Sequence, residues 1–317
     1  MSSSELARAF APATVSNIAC GFDILGFAVD GPGDRVTARW LDRPGVVIEG
    51  ISGDGGRLPL APDRNTAGVA ARALLADPSV AEGAAGRGIG LTVEKQMPLS
   101  SGLGSSAASA VAAVRAVADL VGVEPSRRQM LGCVLEGERV ACGSAHPDNA
   151  APCVYGGFVL IRGGDTPDVV ELPVPEGLSC AVVRPHVEIR TRDARVVLGD
   201  SIPLAAASRQ WGNVGALVAA LFRGDLELLS RSLVDHVAEP VRAPLVPGFA
   251  GAKAAALRHG ALGCSLSGSG PSIFALAGTR GEAEGVADAM VAALADSDID
   301  ADRLVSAVGT AGARGID

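Results

Sequence analysis

No stretch of this 317-residue chain approaches the roughly 18 uninterrupted apolar residues of a membrane-spanning helix, and the N-terminal MSSSELARAF lacks the charged start and apolar core of a secretory signal. No membrane partner is expected, and the cytoplasm is the expected compartment. A basic excess is missing as well. Against 35 Asp and Glu stand 27 Lys and Arg, a net charge of −8, and only Lys95 and Lys253 are lysines. Without a positive field there is no footprint for a nucleic acid, while a local basic pocket stays open. The six cysteines, at 20, 133, 142, 153, 180 and 264, form no C-x-x-C pair, and the four histidines, at 146, 186, 236 and 259, show no H-E-x-x-H spacing. Zinc ribbons, thiol-redox motifs and zinc-protease helices are therefore excluded, and the thiols read as free and buried. No G-K-[ST] occurs, which removes the Walker A loop, and no repeat of fixed period is present.

What is present is ample material for a core. Hydrophobic residues make up 48% and mean hydropathy is +0.32, enough apolar surface to offset the entropy of ordering the chain. At about 150 residues per domain, the length predicts two modest domains or one large one. Strands are expected at Val36–Trp40, Val46–Ile48 and Ile89–Glu94, a helix over 65–76 that stops at Asp77-Pro78, and a second helix from about Ser106 to Val121. Residues 163–177, rich in Gly, Pro and acid, read as a linker. Beyond it come a strand at 179–184, helices at 203–222, 225–236, 248–259 and 281–296, and strands in CSLSG, in SIFALAG and near 303–308. Strands spaced this irregularly among helices predict an α+β fold rather than a regular β-α-β array, with domains over 1–165 and 166–317.

The densest chemical signal is Pro98-Leu99-Ser100-Ser101-Gly102-Leu103-Gly104-Ser105-Ser106-Ala107-Ala108, a Gly/Ser loop between a strand and a helix of small residues. Gly102 and Gly104 let the backbone turn tightly beside an anion, the helix start offers unpaired N–H groups, and Ser105 and Ser106 add hydroxyls for phosphate or metal. As a bare pattern such a turn is more often a helix cap; the full string favours a phosphate cradle. Asn17 and Asp23 are polar in a segment otherwise small or apolar, and a turn explains each equally well. Glu136 and Glu138 follow in LEGERVACGSAHPDN, where surface solvation is the alternative to a metal ligand. His146-Pro147-Asp148-Asn149 gathers donors and acceptors on one loop, as a capped turn also would. Arg195 and Arg242 carry guanidinium forks suited to a carboxylate, though most of the 25 arginines must be surface residues.

Together the strings resemble the GHMP family of small-molecule kinases. Residues 98–108 resemble its second motif, Ala11 to Gly26 its first, and Ser265-Leu266-Ser267-Gly268-Ser269-Gly270-Pro271-Ser272 its third, in family order over about 260 residues. The resemblance implies a two-domain α+β architecture, an N-terminal ribosomal-protein-like domain followed by a ferredoxin-like one. It implies ATP with its phosphates on Pro98, Ser101, Gly102, Leu103, Gly104, Ser105, Ser106, Ala107 and Ala108, assisted by Asn65 and Lys95, and Mg2+ on Ser106 and Glu138, the latter chosen over Glu136 by counting from the HPDN string. Among family members the chain is most like those that phosphorylate L-homoserine. That likeness places Asn17, Asp23, His146, Asp148, Arg195, Arg242 and Gly270 around the acceptor, with Asp23 on the ammonium and the two arginines on the α-carboxylate. Asn149 stands where mevalonate-directed members place an aspartate base, so catalysis by Asn149, Arg195, Ser106 and Glu138 is expected to rest on positioning and charge neutralisation. The first motif departs from the common form, with Ile18-Ala19-Cys20 in place of Leu-Gly-Pro, a change expected to alter loop stiffness. A homodimer, another small-alcohol acceptor and a non-catalytic ligand-binding homologue stay open.

Overall fold

Apolar alternation draws the first half of the chain into one mixed sheet. β1 (Leu6–Ser16), β2 (Leu25–Leu41), β3 (Val46–Ser52) and β4 (Gly88–Glu94) lie in the order β1-β2-β4-β3, antiparallel except for the β3–β4 pair. The structure is a computed structural model and describes residues 5–84, 86–143, 145–163, 167–189 and 191–317. Helices α1 (Thr66–Leu75), α2 (Pro78–Ala84), α3 (Ser105–Val121), α4 (Arg127–Cys142) and α5 (Pro147–Tyr155) complete this half. The alanines of α3 are its reason for being central: with small side chains on nearly every side, it packs closely against β1, β2, α1 and α4 and is buried almost throughout.

β5 (Phe158–Arg162) pairs with β2, and β6 (Asp168–Leu172) with β5. The stretch read as a linker, 163–177, thus carries a strand, because Asp168–Leu172 supplies a two-residue alternation that hydrogen-bonds an open sheet edge. The expected division between residues 165 and 166 lies outside the described residues. After β7 (Ser179–Pro185) come α6 (Thr191–Val196), α7 (Leu204–Arg223), α8 (Leu226–Ser232), α9 (Glu239–Arg242) and α10 (Phe249–Arg258), then β8 (Gly263–Leu266), β9 (Ile273–Ala277), α11 (Arg280–Ala295), β10 (Ala301–Ala307) and β11 (Arg314–Ile316). The second sheet is antiparallel, β10-β7-β9-β8, with α10 and α11 packed over a core of its own, and β11 returns to pair with β1.

Two helix expectations change in detail. The helix expected over 225–236 ends at Ser232, because the Asp235 carboxylate accepts the backbone N–H groups of Val237, Ala238 and Glu239 and so starts α9 instead. Pro78 does close α1, but as the first residue of α2, where a missing N–H costs nothing. Phe27 of β2 joins the two halves, with ring centroids 5.5 Å from Phe158 and 6.5 Å from Phe274. No helix among the described residues is long and apolar enough to cross a membrane.

Candidate active site

Three segments far apart in sequence meet at the start of α3. Gly104 is its N-cap with φ 69°, and a Cβ there would run into the Thr14 hydroxyl and come within 3.0 Å of Asn149 Oδ1. Gly102, at φ 77°, would carry a Cβ 2.6 Å from Ser267 O and 2.8 Å from Gly270 O. Both positions need glycine for space as well as for backbone conformation. Along the loop the residues alternate: Ser101, Leu103 and Ser105 turn inward, while Gly102, Gly104 and Ser106 stay half-buried at the cavity wall. Pro98 is exposed before the turn, and Ala107 and Ala108 are fully buried behind it. The third motif closes on this loop from the second half of the chain: Ser267 Oγ donates to Gly102 O at 2.7 Å, and Asn17 Nδ2 to Gly268 O at 2.9 Å.

The loop and the acceptor candidates line a single cavity of about 970 Å³, which includes Asn17, Asp23, Ser106, Glu138, Asp148 and Arg195. On one side stands Glu138, 2% exposed. Burial pushes its carboxyl up to about 7 against a hydrogen bond from Ser106, and its Oε1 has no hydrogen-bond partner. A buried carboxylate oxygen without a donor, beside a hydroxyl, fits a divalent cation that would take one or two protein oxygens and keep the rest of its shell as water and phosphate. Glu136 points elsewhere, paired with Arg139 on the surface.

On the other side the charges are arranged in pairs. Arg195 grips Asp23 with both terminal nitrogens, at 2.8 and 3.0 Å, and its Nη2 lies 2.9 Å from His146 Nδ1. Since a guanidinium only donates, Nδ1 accepts and the imidazole is neutral with its proton on Nε2; burial, then Arg195, holds its pKa below the usual value. Arg242 is 3% exposed, donates to Ala194 O and Gly268 O, and shares the Phe22 ring with Arg195, each guanidinium 5.2 Å from the centroid. Burial, then Arg195, lowers its pKa. Asp148 is buried, with one carboxylate oxygen unpartnered; burial, then the charge of Asp23, pushes it up to about 7. Gly270, expected at the acceptor, is not among the residues lining this cavity: at φ 76° it lies against Gly102, with Val246, Leu266 and Ile189 beside it.

Asn149 stands between the two sides, but within the first turn of α5, which begins at His146-Pro147 where a loop was expected. Its Oδ1 accepts from Thr14 at 3.0 Å and its Nδ2 donates to Ser16 Oγ at 3.0 Å. Two other expected nucleotide contacts are engaged with the protein itself. Asn65 caps α1 through Ala67 N and donates to Pro59 O, so it shapes the cavity wall. The Lys95 ammonium, buried, is bonded to Asp34, to Ser105 O at 2.7 Å and to Ser109 Oγ at 2.8 Å, which ties the end of β4 to the first turn of α3. Asp34, Ser109, Thr14 and Ser16 were missed as participants; Asp34 shares β2 with Asp30 and is followed by Arg35, so no local signal set it apart. Gln210 of α7, which donates to Cys20 O at 2.8 Å and so steadies the loop carrying Asp23, had no local signal.

That loop is conformationally unusual. Asn17, Ile18, Ala19 and Asp23 have φ of 71°, 40°, 54° and 59°. A left-handed backbone at non-glycine residues costs roughly 1–2 kcal/mol each and persists only where packing enforces it. Ile18, Ala19 and Cys20 are all buried, so the departure at these positions is held by the core beneath it.

Residues 65–157 match the GHMP kinases N-terminal domain and residues 217–313 the GHMP kinases C-terminal domain. The chain belongs to the GHMP kinase family. Its two-domain fold is that of the family, and as a GHMP kinase it is an ATP-dependent phosphotransferase. Among its relatives are the homoserine kinase of Chlorobium phaeobacteroides, 50% identical over 97% of this chain and 98% of that one, and that of Chlorobium phaeovibrioides, 51% identical over 97% and 98%. The crystal structure of homoserine kinase from Cytophaga hutchinsonii superposes with a TM-score of 0.95 at 49% identity, covering 100% of this GHMP kinase and 99% of that chain.

Proposed function

We propose that this GHMP kinase transfers the γ-phosphoryl group of ATP to the side-chain hydroxyl of L-homoserine, giving ADP and O-phospho-L-homoserine, a step toward threonine, in the cytoplasm. The observation that carries this reading is the charged part of the cavity lining. Asp23 and Arg195 present one negative and one positive group side by side, with Arg242 behind them, which complements the ammonium and α-carboxylate of an amino acid. A sugar or mevalonate has no ammonium to answer Asp23. Asp23 and Arg195 neutralise each other, so an acceptor lacking either charge would open that pair without replacing both halves.

The chain's own residues supply binding and orientation. Gly102 and Gly104 keep the backbone open to the nucleotide phosphates at the positive end of α3. Ser106 and Glu138 would hold Mg2+, which supplies charge neutralisation between phosphates when bound. Asn149, fixed by Thr14 and Ser16, keeps an amide at the junction of the two subsites, and Arg195 orients the acceptor. Phosphoryl transfer through a loose transition state needs little proton abstraction early on, so positioning suffices as the main contribution.

The test is an acceptor series with Mg-ATP: L-homoserine, the same alcohol without its carboxylate, the same alcohol without its amine, and mevalonate. Homoserine should be strongly preferred. Arg195→Ala should lower kcat/KM for homoserine by roughly ten- to more than a hundredfold, the loss of a charged hydrogen bond, with the KM for ATP nearly unchanged. Equal rates on homoserine and mevalonate would refute the acceptor assignment and leave the kinase intact.

A further inference from the structure

Gln210 sits on the inner face of α7, 6% exposed, and is not among the residues that line the cavity. Its amide is fully engaged. Nε2 donates to Cys20 O at 2.8 Å and to Asp235 Oδ1 at 2.9 Å, while Oε1 accepts the His236 N–H at 2.8 Å. These partners fix which way the amide points, since two oxygens face its nitrogen and an N–H faces its oxygen. A carboxylate would lack the donors, and an ammonium or guanidinium would lack the accepting oxygen.

The partners belong to the two segments that carry the charges of the acceptor site. Cys20 lies in the loop of left-handed residues that ends at Asp23, and Asp235 caps α9, at whose end Arg242 stands. The contacts then close into a ring. Arg242 Nε donates to Ala194 O at 3.0 Å, the neighbouring Arg195 grips Asp23, and Asp23 returns through its own loop to Cys20. At the cavity face Gly268 O joins the same two segments, accepting from Asn17 and from Arg242, both of which line the cavity. Behind that face Gln210 is the joint.

We propose that Gln210 is a positioning residue that sets the spacing between Asp23 on its loop and Arg242 on α9, and through it the preference for an acceptor carrying both an ammonium and a carboxylate. The proposal rests on the acceptor reading given above. A molecule held at two points gains from both only when their separation matches its own, and a misplacement of about 1 Å can cost roughly a hundredfold. One held at a single point follows the side that binds it. Loss of the rear joint therefore weakens homoserine more than it weakens an alcohol that carries one of the two charges.

Two variants test it. Gln210→Met keeps the length of the side chain and removes all three bonds, whereas Gln210→Glu keeps the oxygen facing His236 and sets oxygen against oxygen at Cys20 and Asp235. Steady-state rates at saturating Mg-ATP are compared on L-homoserine and on the same alcohol without its amine. Both variants should raise the KM for homoserine roughly tenfold, leave kcat and the KM for ATP within about twofold, and lower the kcat/KM ratio of the two acceptors by about the same tenfold. A partly unfolded sample scales both rates alike, so the ratio reads position in whatever fraction folds. Asn213→Ala, about one turn along α7, removes a bond to Val234 O outside the ring and should keep the wild-type ratio. A wild-type preference for homoserine that both Gln210 variants retain would overturn this proposal alone, as would an equal loss in Asn213→Ala. Wild type without that preference would overturn the acceptor reading and this proposal with it.

Discussion

Glu138 is the residue at which charge and burial are most at odds. Its carboxyl is pushed up to about 7 by burial, one oxygen has no donor, and the Ser106 hydroxyl is its neutral partner. A cation between Glu138 and Ser106 removes both difficulties, whereas Glu136 already has Arg139. Glu138→Gln should therefore lower kcat with Mg-ATP by at least roughly a hundredfold and raise the Mg2+ concentration needed for half-maximal rate, and Ser106→Ala should act in the same direction more weakly. Glu136→Gln should behave as wild type. Steady-state rates across a magnesium titration decide between the two carboxylates, and a fully active Glu138→Gln would reverse the assignment.

At the scale of elements, the connection of β2, β4 and α3 through Lys95 matters more than the loop's sequence reveals. The ammonium and the Asp34 carboxylate are both shut off from solvent, and their partners Ser105 and Ser109 belong to the first turns of α3. Lys95→Met would leave Asp34 charged, buried and unpaired, a loss of about 3–5 kcal/mol, or roughly 5–10 °C in Tm. Asp34→Asn combined with Lys95→Met should recover much of it, because the pair is then removed together. A Tm unchanged in Lys95→Met would show the ammonium to be solvated and free for nucleotide. The loop, α3, β4, β7 and β9 were legible beforehand because their patterns are local: alternation in a strand, small residues on a helix, glycine at a turn. Asp34 with Lys95, Gln210 with Cys20 and β6 with β5 were not, since each joins segments whose partnership is set only by tertiary packing. The same limit made His146–Asn149 read as a loop, when Pro147 was the first residue of a helix.

Across the whole molecule, ionisable groups gathered around the cavity tie stability to pH. Burial, reinforced by Asp23, raises Asp148 to about 7 from 3.8, and burial raises Glu138 to about 7 from 4.5. Between roughly pH 4 and 7 the folded chain then binds more protons than the unfolded chain, so the unliganded protein loses stability as pH rises, by up to about 1.4 kcal/mol per pH unit for each group. His146 opposes this in part. Its pKa is lowered, so its contribution is lost as pH falls below about 6.5, the unfolded value. Asp54, Asp77 and Asp302, all held below the usual carboxylate range, lose theirs only in stronger acid. A raw Tm profile mixes these contributions, and the difference between two proteins separates them. Asp148→Asn should equal wild type near pH 4, where both side chains are neutral, and exceed it progressively toward pH 8, where only the aspartate is charged. Differential scanning fluorimetry of both proteins without nucleotide reads this directly. A constant Tm difference across that range would mean that Asp148 titrates in the folded protein as it does in the unfolded chain, and that its unpartnered oxygen is solvated.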